Sequence, residues 1–341
     1  MASVRAGKKM QTMSLNEMGP GREGAGTALD RLNITQRYLA TEFADGYEDG
    51  VLPRRDLIER VARITGGIGT AASVLLALGI RPTTSSAQST PPMYSMPGDA
   101  SSPASVSPND PAIVASDVIV PSGGVDVAGY LARPVGDGPF PAVMICHENA
   151  GTAEHFRDVA RRFAKVGYVA IHLDLLSREG GTEAVPANQR AAALTAPGKA
   201  ELFVDDFRAA MAMLRADPGV RGDAIGMTGY CFGGSVTWNV ACREPGLRAA
   251  VPFYGPPGFP EELGEIRASC LGVYGDSDAR VNASIPVVEK ALRSSGVAHD
   301  LRVYAGAGHA FFNDTRPQVY AEEASMQAWR DTLEWFSKHL A

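Results

Sequence analysis

Cysteine is scarce in this chain. The four residues Cys146, Cys231, Cys242 and Cys270 are widely spaced, with no Cys-x-x-Cys pair and no zinc-type spacing. Basic clusters are absent too, and the net charge is −6, which excludes the electrostatic footprint of a nucleic-acid binder. The mild acidity reads as a solubility feature. No apolar run reaches the roughly 20 residues of a membrane span, since the longest candidate covers only residues 64–80. No internal repeat is visible. What remains is a chain of 341 residues with 45% hydrophobic content and ordinary charge, long enough for one large globular domain or two small ones.

Residues 1–26 carry no hydrophobic periodicity, which predicts no regular structure, or a true start at an internal methionine such as Met18. The segment 27–80 reads as helical. Leu29, Leu32, Ile34, Tyr38, Leu39 and Phe43 give an approximate amphipathic face between Thr27 and Glu48. Pro53-Arg54-Arg55-Asp56 then leads into the apolar run Ile64–Ile80, followed by Ser85-Ser86-Ala87. A twin arginine before a weakly hydrophobic stretch points to a Tat-like export signal or a membrane tether, hence to a periplasmic or membrane-bound address. Against it stand the distance from Met1 and the charges of Glu59 and Arg63; the alternative is a soluble helical appendage. Residues 81–111 are rich in Ser and Pro and read as a linker.

From residue 112 to 341 the pattern becomes regular. Val114–Pro121 and Val125–Arg133 read as a hairpin about Gly123-Gly124. Strands at Ala142–Cys146, Tyr168–Leu173, Ala224–Thr228, Ala249–Phe253, Cys270–Tyr274 and Leu301–Tyr304 then follow. Between and after them lie helices at Ala153–Val166, Ala187–Leu194, Ala200–Leu214, Gly234–Ala241, Ile285–Ser295 and Tyr320–His339. This order predicts an α/β fold, a mostly parallel sheet with helices on both faces. Reactive groups then belong on loops at the carboxyl ends of the strands.

One such junction carries chemistry. In Ile225–Gly234 an apolar strand runs into Gly229-Tyr230-Cys231-Phe232-Gly233 and straight on into a helix. Gly-x-nucleophile-x-Gly between strand and helix is the nucleophile elbow of α/β-hydrolases, here with cysteine as the nucleophile. Only small neighbours let strand and helix approach so closely, and the N–H of Phe232 at the helix start is aimed at a developing oxyanion. A thiol with a pKa of about 8.5 is mostly protonated at neutral pH, so a base is required. Downstream, Gly275-Asp276-Ser277-Asp278 and Gly306-Ala307-Gly308-His309 both follow strand ends. His309 is therefore expected to pair with Cys231, with Asp278 preferred over Asp276 as the carboxylate that fixes its tautomer. Strand Val143–Cys146 ends in His147-Glu148-Asn149, which predicts Glu148 beside Cys231 and the Asn149 N–H as the second oxyanion donor. Tyr230 and Phe232 flank the nucleophile and either line a pocket or pack. The other three cysteines read as buried, inert thiols.

These motifs, with Gly-x-x-Asp-x-x-Val at Gly275–Val281 and Ala-Gly-His-Ala-Phe at Ala307–Phe311, resemble the dienelactone hydrolase (carboxymethylenebutenolidase) family over roughly residues 112–340. The resemblance implies an α/β-hydrolase fold with no cofactor and no metal, a Cys231–Asp278–His309 triad and a small ester or lactone as substrate. It further implies that Glu148 holds the resting thiol and takes part in forming the thiolate when substrate binds. The implied reaction passes through a tetrahedral oxyanion and an acyl-thioester to hydrolysis by water. The chain departs from the family pattern in its carboxylate-binding arginines. Asn313 stands where one is expected, with Arg316 further on, while Arg190 is an unaligned match for the other; Ala310 replaces a serine. Two other classes remain open: a non-catalytic binding protein on the same fold, and a thiol-based redox protein in which Cys146 approaches Cys231. The sequence does not distinguish monomer from homodimer, and membrane contact is expected only through the N-terminal segment.

Overall fold

The computed structural model describes residues 13–14, scattered positions between 28 and 47, residues 54–78, residue 80 and residues 105–341. Its centre is a nine-stranded sheet. The strands are β1 (Met13–Ser14), β2 (Ile113–Ser122), β3 (Val125–Pro134), β4 (Phe140–Cys146), β5 (Val169–Leu173), β6 (Val220–Tyr230), β7 (Ala249–Phe253), β8 (Ser269–Gly275) and β9 (His299–Tyr304). They lie in the order β1-β9-β8-β7-β6-β4-β5-β3-β2. Strands β4 to β9 pair in parallel, while β2, β3 and β1 join antiparallel at the edges. The expected α/β architecture is present.

The hairpin β2–β3 closes through a two-residue turn, with Ser122 facing Val125 and positive φ at both Gly123 (55°) and Gly124 (79°). That is the turn conformation glycine favours. The parallel strands are covered on both faces, and β5 and β7 are buried at every position, which explains the unbroken apolar sequence of β7 and that of β5 apart from the buried His172. On one face, α3 (Glu154–Lys165) meets α9 (Glu322–His339) through Phe163, whose ring lies 4.6 Å from that of Trp329. On the other lie α5 (Lys199–Ala216) and α6 (Phe232–Arg243), which pack on β6 and on each other. The shorter helices are α4 (Ala187–Leu194), α7 (Ala279–Asn282) and α8 (Ile285–Ser295).

Three N-terminal expectations change. Met13 and Ser14, inside the stretch expected to lack regular structure, pair with Val303 and Arg302 on the edge strand β9. The apolar run Ile64–Ile80 is not one segment. It is split between α1 (Arg54–Thr65) and α2 (Ile68–Ala77) at Gly66 (φ 84°) and Gly67 (φ 159°). Leu57, Val61, Val74 and Leu75 of these helices are buried in a small core distinct from that of the sheet. Among the described residues no helix is long and apolar enough to cross a membrane. Val106 belongs to the sheet's core rather than to a linker: its N–H donates to Asp158 (2.7 Å) and its carbonyl accepts from Arg161 (2.6 Å). Of the helix expected over Thr27–Glu48, Ala28–Arg31 form a short 3-10 helix, Leu32 lies in a bend, and Gln36, Ala40, Phe43, Ala44 and Tyr47 are α-helical; the other positions of that stretch, and residues 81–104, lie outside the described residues.

Candidate active site

Strand β6 delivers Cys231 into a backbone conformation of φ 57° and ψ −117°, one residue before α6 begins. A non-glycine residue held there stores strain of about 1–3 kcal/mol, so its surroundings must over-determine it. They do. The Cys231 N–H donates to the Phe253 carbonyl (3.1 Å), and its carbonyl accepts from the N–H groups of Gly234 and Ser235. A Cβ on Gly229 would lie 2.1 Å from the Gly233 carbonyl oxygen, and one on Gly233 would lie 2.5 Å from the carbonyl oxygens of Cys146 and His147. The sequence pattern identifies those two glycines but misses Gly234 and Gly255, whose added Cβ atoms would meet Phe253 and Cys231 carbonyl oxygens at 2.4 and 2.5 Å.

His309 and Asp278 are brought together by two strand-end turns stapled to each other. The Ser277 N–H donates to the Ala307 carbonyl and the Asp276 N–H to the Tyr304 carbonyl, each at 3.0 Å. Asp278 caps α7 by accepting from the Val281 N–H (3.3 Å) through Oδ1, which turns Oδ2 towards His309 Nδ1 at 2.6 Å. With that carboxylate holding the Nδ1 proton, Nε2 is the basic nitrogen. Asp276 is exposed and accepts from the Gly306 N–H and the Ser277 hydroxyl, both at 2.9 Å, as a turn residue does.

Glu148 follows β4 and is buried, with Oε2 accepting from Asn313 Nδ2 (3.2 Å) and Arg316 Nη1 (3.5 Å). The Asn313 amide is oriented by its other end, where Oδ1 accepts from the N–H (3.2 Å) and hydroxyl (2.7 Å) of Thr315. Asn313 and Arg316 thus meet one carboxylate, a link across 168 residues that sequence reading does not supply. Asn149 is buried beside Glu148, and Phe232 opens α6, a position whose N–H has no acceptor within the helix. Arg190 on α4 donates to the Val185 carbonyl (2.9 Å) and the Ala150 carbonyl (3.2 Å), which places its guanidinium beside the Glu148–Asn149–Ala150 loop. Tyr230 is fully buried in an aromatic stack, 5.3 Å from Phe312 and 4.8 Å from Phe253.

Comparison with known proteins fits this geometry. Residues 127–340 match the model of the dienelactone hydrolase family. The chain belongs to that family. Relatives carrying the name "Putative carboxymethylenebutenolidase" include one from Salmonella typhimurium, 35% identical over 247 residues, which span 67% of this chain and 89% of the relative. Another, from Methylorubrum extorquens, is 31% identical over 239 residues, spanning 67% and 82%. A solved "Putative Dienelactone Hydrolase" from Klebsiella pneumoniae superposes with a TM-score of 0.61 at 32% identity, covering 66% of this chain and 99% of its own. Membership makes this protein a hydrolase of carboxylic esters or lactones, acting on a small molecule.

As a dienelactone hydrolase family member it has further residues that sequence reading did not single out. Tyr254, directly after β7, has a positive φ of 35° and is fully buried, and its ring lies 5.3 Å from the His309 imidazole. The only sequence signal is an aromatic residue before Gly255 at a strand end. A second His–Asp pair lies behind the site, with His155 Nδ1 of α3 3.0 Å from Asp314 Oδ1. Asp314 also binds Arg162 (2.5 Å), whose Nε donates to Asp158 (2.8 Å). Burial would raise the Asp314 carboxyl, but the His155 hydrogen bond and the Arg162 charge outweigh it and hold the pKa far below the usual range. His147 is buried and neutral, its pKa lowered by burial; Nδ1 donates to the Glu148 carbonyl (2.6 Å) and Nε2 accepts from the Leu175 N–H (3.1 Å). Burial also raises the thiols of Cys146 and Cys270, and pushes Cys242 up to about 12, which leaves them poor nucleophiles. Among the described residues no group of three or more His, Cys, Asp or Glu side chains is placed to hold a metal ion.

Proposed function

We propose that this protein cleaves its ester or lactone through Cys231 as nucleophile, His309 as general base and acid, and Asp278 as the group that fixes the imidazole. The observation that carries this reading is the strained cysteine at a helix start together with the 2.6 Å His309–Asp278 contact, all at the carboxyl ends of parallel strands (β6, β8 and β9) of one sheet. Cys231 gives its proton to His309 Nε2 and adds to the substrate carbonyl carbon. The tetrahedral oxyanion is met by the N–H groups of Phe232 and Asn149. As the acyl carbon–oxygen bond breaks, its electron pair goes to the leaving oxygen, which takes the proton from His309. Water, deprotonated by His309, then attacks the thioester and releases the acid and the thiol. Glu148, held by Asn313 and Arg316, supplies the negative charge beside Cys231 that governs when the thiolate forms.

Arg190 supports an anionic substrate. Its two hydrogen bonds go to backbone carbonyls, and among the described residues no acidic side chain pairs with it. Its charge is therefore available to a substrate carboxylate near Ala150. Hydrolysis of a p-nitrophenyl ester series and of a dienelactone is the test, with wild type compared to Cys231→Ala and Arg190→Gln. The account predicts turnover that vanishes in Cys231→Ala, and a selective rise in KM for the carboxylated substrate in Arg190→Gln. Undiminished turnover in Cys231→Ala would sink the nucleophile assignment, and equal KM values in Arg190→Gln would sink the carboxylate contact.

A further inference from the structure

Tyr230, Tyr254 and Tyr274 each carry a buried hydroxyl without a hydrogen-bond partner among the described residues. Of these, Tyr254 is the one whose ring packs on the His309 imidazole, at 5.3 Å in an edge arrangement. Its backbone is forced into that position. The preceding carbonyl, of Phe253, accepts from the Cys231 N–H, and the Tyr254 N–H donates to Val273 (2.7 Å), so φ is driven to 35°. A bulky side chain at positive φ is a rare and costly conformation, about 1–3 kcal/mol, and such strain concentrates at working sites. Phe311, 5.5 Å away, and Tyr230, 6.3 Å away, wall the ring on its other sides. An unpaired buried hydroxyl is itself unfavourable by about 1–3 kcal/mol unless something supplies the missing partner.

We propose that the Tyr254 hydroxyl donates a hydrogen bond to the leaving oxygen of the substrate as the acyl carbon–oxygen bond breaks. This rests on the hydrolytic reading of Cys231 and His309. The argument is positional. The carbonyl oxygen is directed to the helix-start N–H of Phe232 and the loop N–H of Asn149, whereas the leaving oxygen must face His309 to receive its proton. Tyr254 borders His309, so it shares the leaving oxygen's side of the site. Tyr254 keeps its own proton throughout: burial first, then the charge of Glu148, raises the phenol well above its ordinary value. It therefore acts as a neutral donor, stabilising charge on oxygen while the proton itself comes from His309.

The test is Tyr254→Phe, assayed on butyrate esters running from p-nitrophenyl through phenyl to ethyl, with Cys231→Ala in parallel. The lost oxygen has no partner among the described residues, so Tm is expected to hold or rise rather than fall. A donor to the leaving oxygen matters most where that oxygen is a poor leaving group. The expected result is a loss in kcat/KM on the order of 100-fold for the ethyl ester, the size associated with one preorganised donor, and a few-fold at most for the p-nitrophenyl ester. An equal loss along the series would mean that Tyr254 only packs His309, and no loss anywhere would also overturn the proposal. The slope against leaving group reads Tyr254 whichever nucleophile operates. Activity surviving in Cys231→Ala, or absent from the wild type, contradicts the underlying reading instead.

Discussion

At the residue scale, the structure separates two aspartates that stand two positions apart. Asp278 Oδ2 faces His309 at 2.6 Å, while the Asp276 carboxylate binds the Ser277 hydroxyl and the Gly306 N–H of the facing turn. Asp278→Asn keeps the shape but no longer holds the imidazole in the productive tautomer, and is expected to lower kcat by about ten-thousand-fold. Asp276→Asn is expected to stay within a few fold in the same assay. Comparable losses in the two variants would contradict the assignment. The elbow makes a stability prediction. Gly229→Ala must fit a methyl group 2.1 Å from the Gly233 carbonyl oxygen, so a loss above about 4 kcal/mol is expected in denaturant unfolding. The elbow at Cys231 and the meeting of His309 with Asp278 were legible because local patterns mark them: a glycine-flanked turn between strand and helix, and two strand-end turns in sequence order. Tyr254 and Arg316 were not, because their meaning depends on what a strained backbone or a long side chain reaches across the fold.

At the scale of elements, the loop of residues 313–316 ties the site to α3. Asn313 and Arg316 hold Glu148, while Asp314 between them is locked to His155 and Arg162 of α3. Arg162 and Asp314 side chains are only 6% and 4% exposed, so removing Asp314 leaves the buried Arg162 with Asp158 as its remaining carboxylate and takes away the acceptor of His155 Nδ1. Asp314→Ala is therefore expected to destabilise the protein by about 1–3 kcal/mol, the cost of buried donors left unsatisfied, read from the denaturant midpoint. Because the same loop presents Asn313 and Arg316, activity should fall even at temperatures where the variant is fully folded. Full activity there would show that the loop keeps its shape without the clamp. Strand and helix periodicity made nearly every element of the sheet domain legible, with α4, β7 and α8 found at their observed bounds. The His155–Asp314 pair spans 159 residues and leaves no local trace.

Across the whole molecule, buried neutral histidines set the response to acid. His172 is fully buried, with burial holding its pKa well below 6.5; Nε2 lies 2.5 Å from the Thr152 hydroxyl. His147 is shifted in the same direction by the same cause. Below about pH 6.5 the unfolded chain binds protons that the folded one refuses, so stability falls as the pH drops through that value towards the folded pKa values. Asp314, depressed in the folded state, adds a further loss below about pH 4. Thermal unfolding at pH 7.5 and pH 5 should show a lower Tm at pH 5, and His172→Gln should narrow the gap; an unchanged gap would contradict the assignment. The separate small core around Leu57 and Val74 was the least legible part of the chain, since a short apolar run of small residues suits a signal, a tether or a helical pair equally well. The central claim is that Cys231 carries the acyl group during turnover. Acid quenching of the enzyme in the steady state with a slowly hydrolysed ester, followed by peptide mass spectrometry, reads it directly. The account predicts one acyl mass added to the peptide containing Cys231 and lost on treatment with hydroxylamine. An acyl group on any other residue, or a turning-over enzyme with no adduct while His309→Asn also fails to accumulate one, would contradict it.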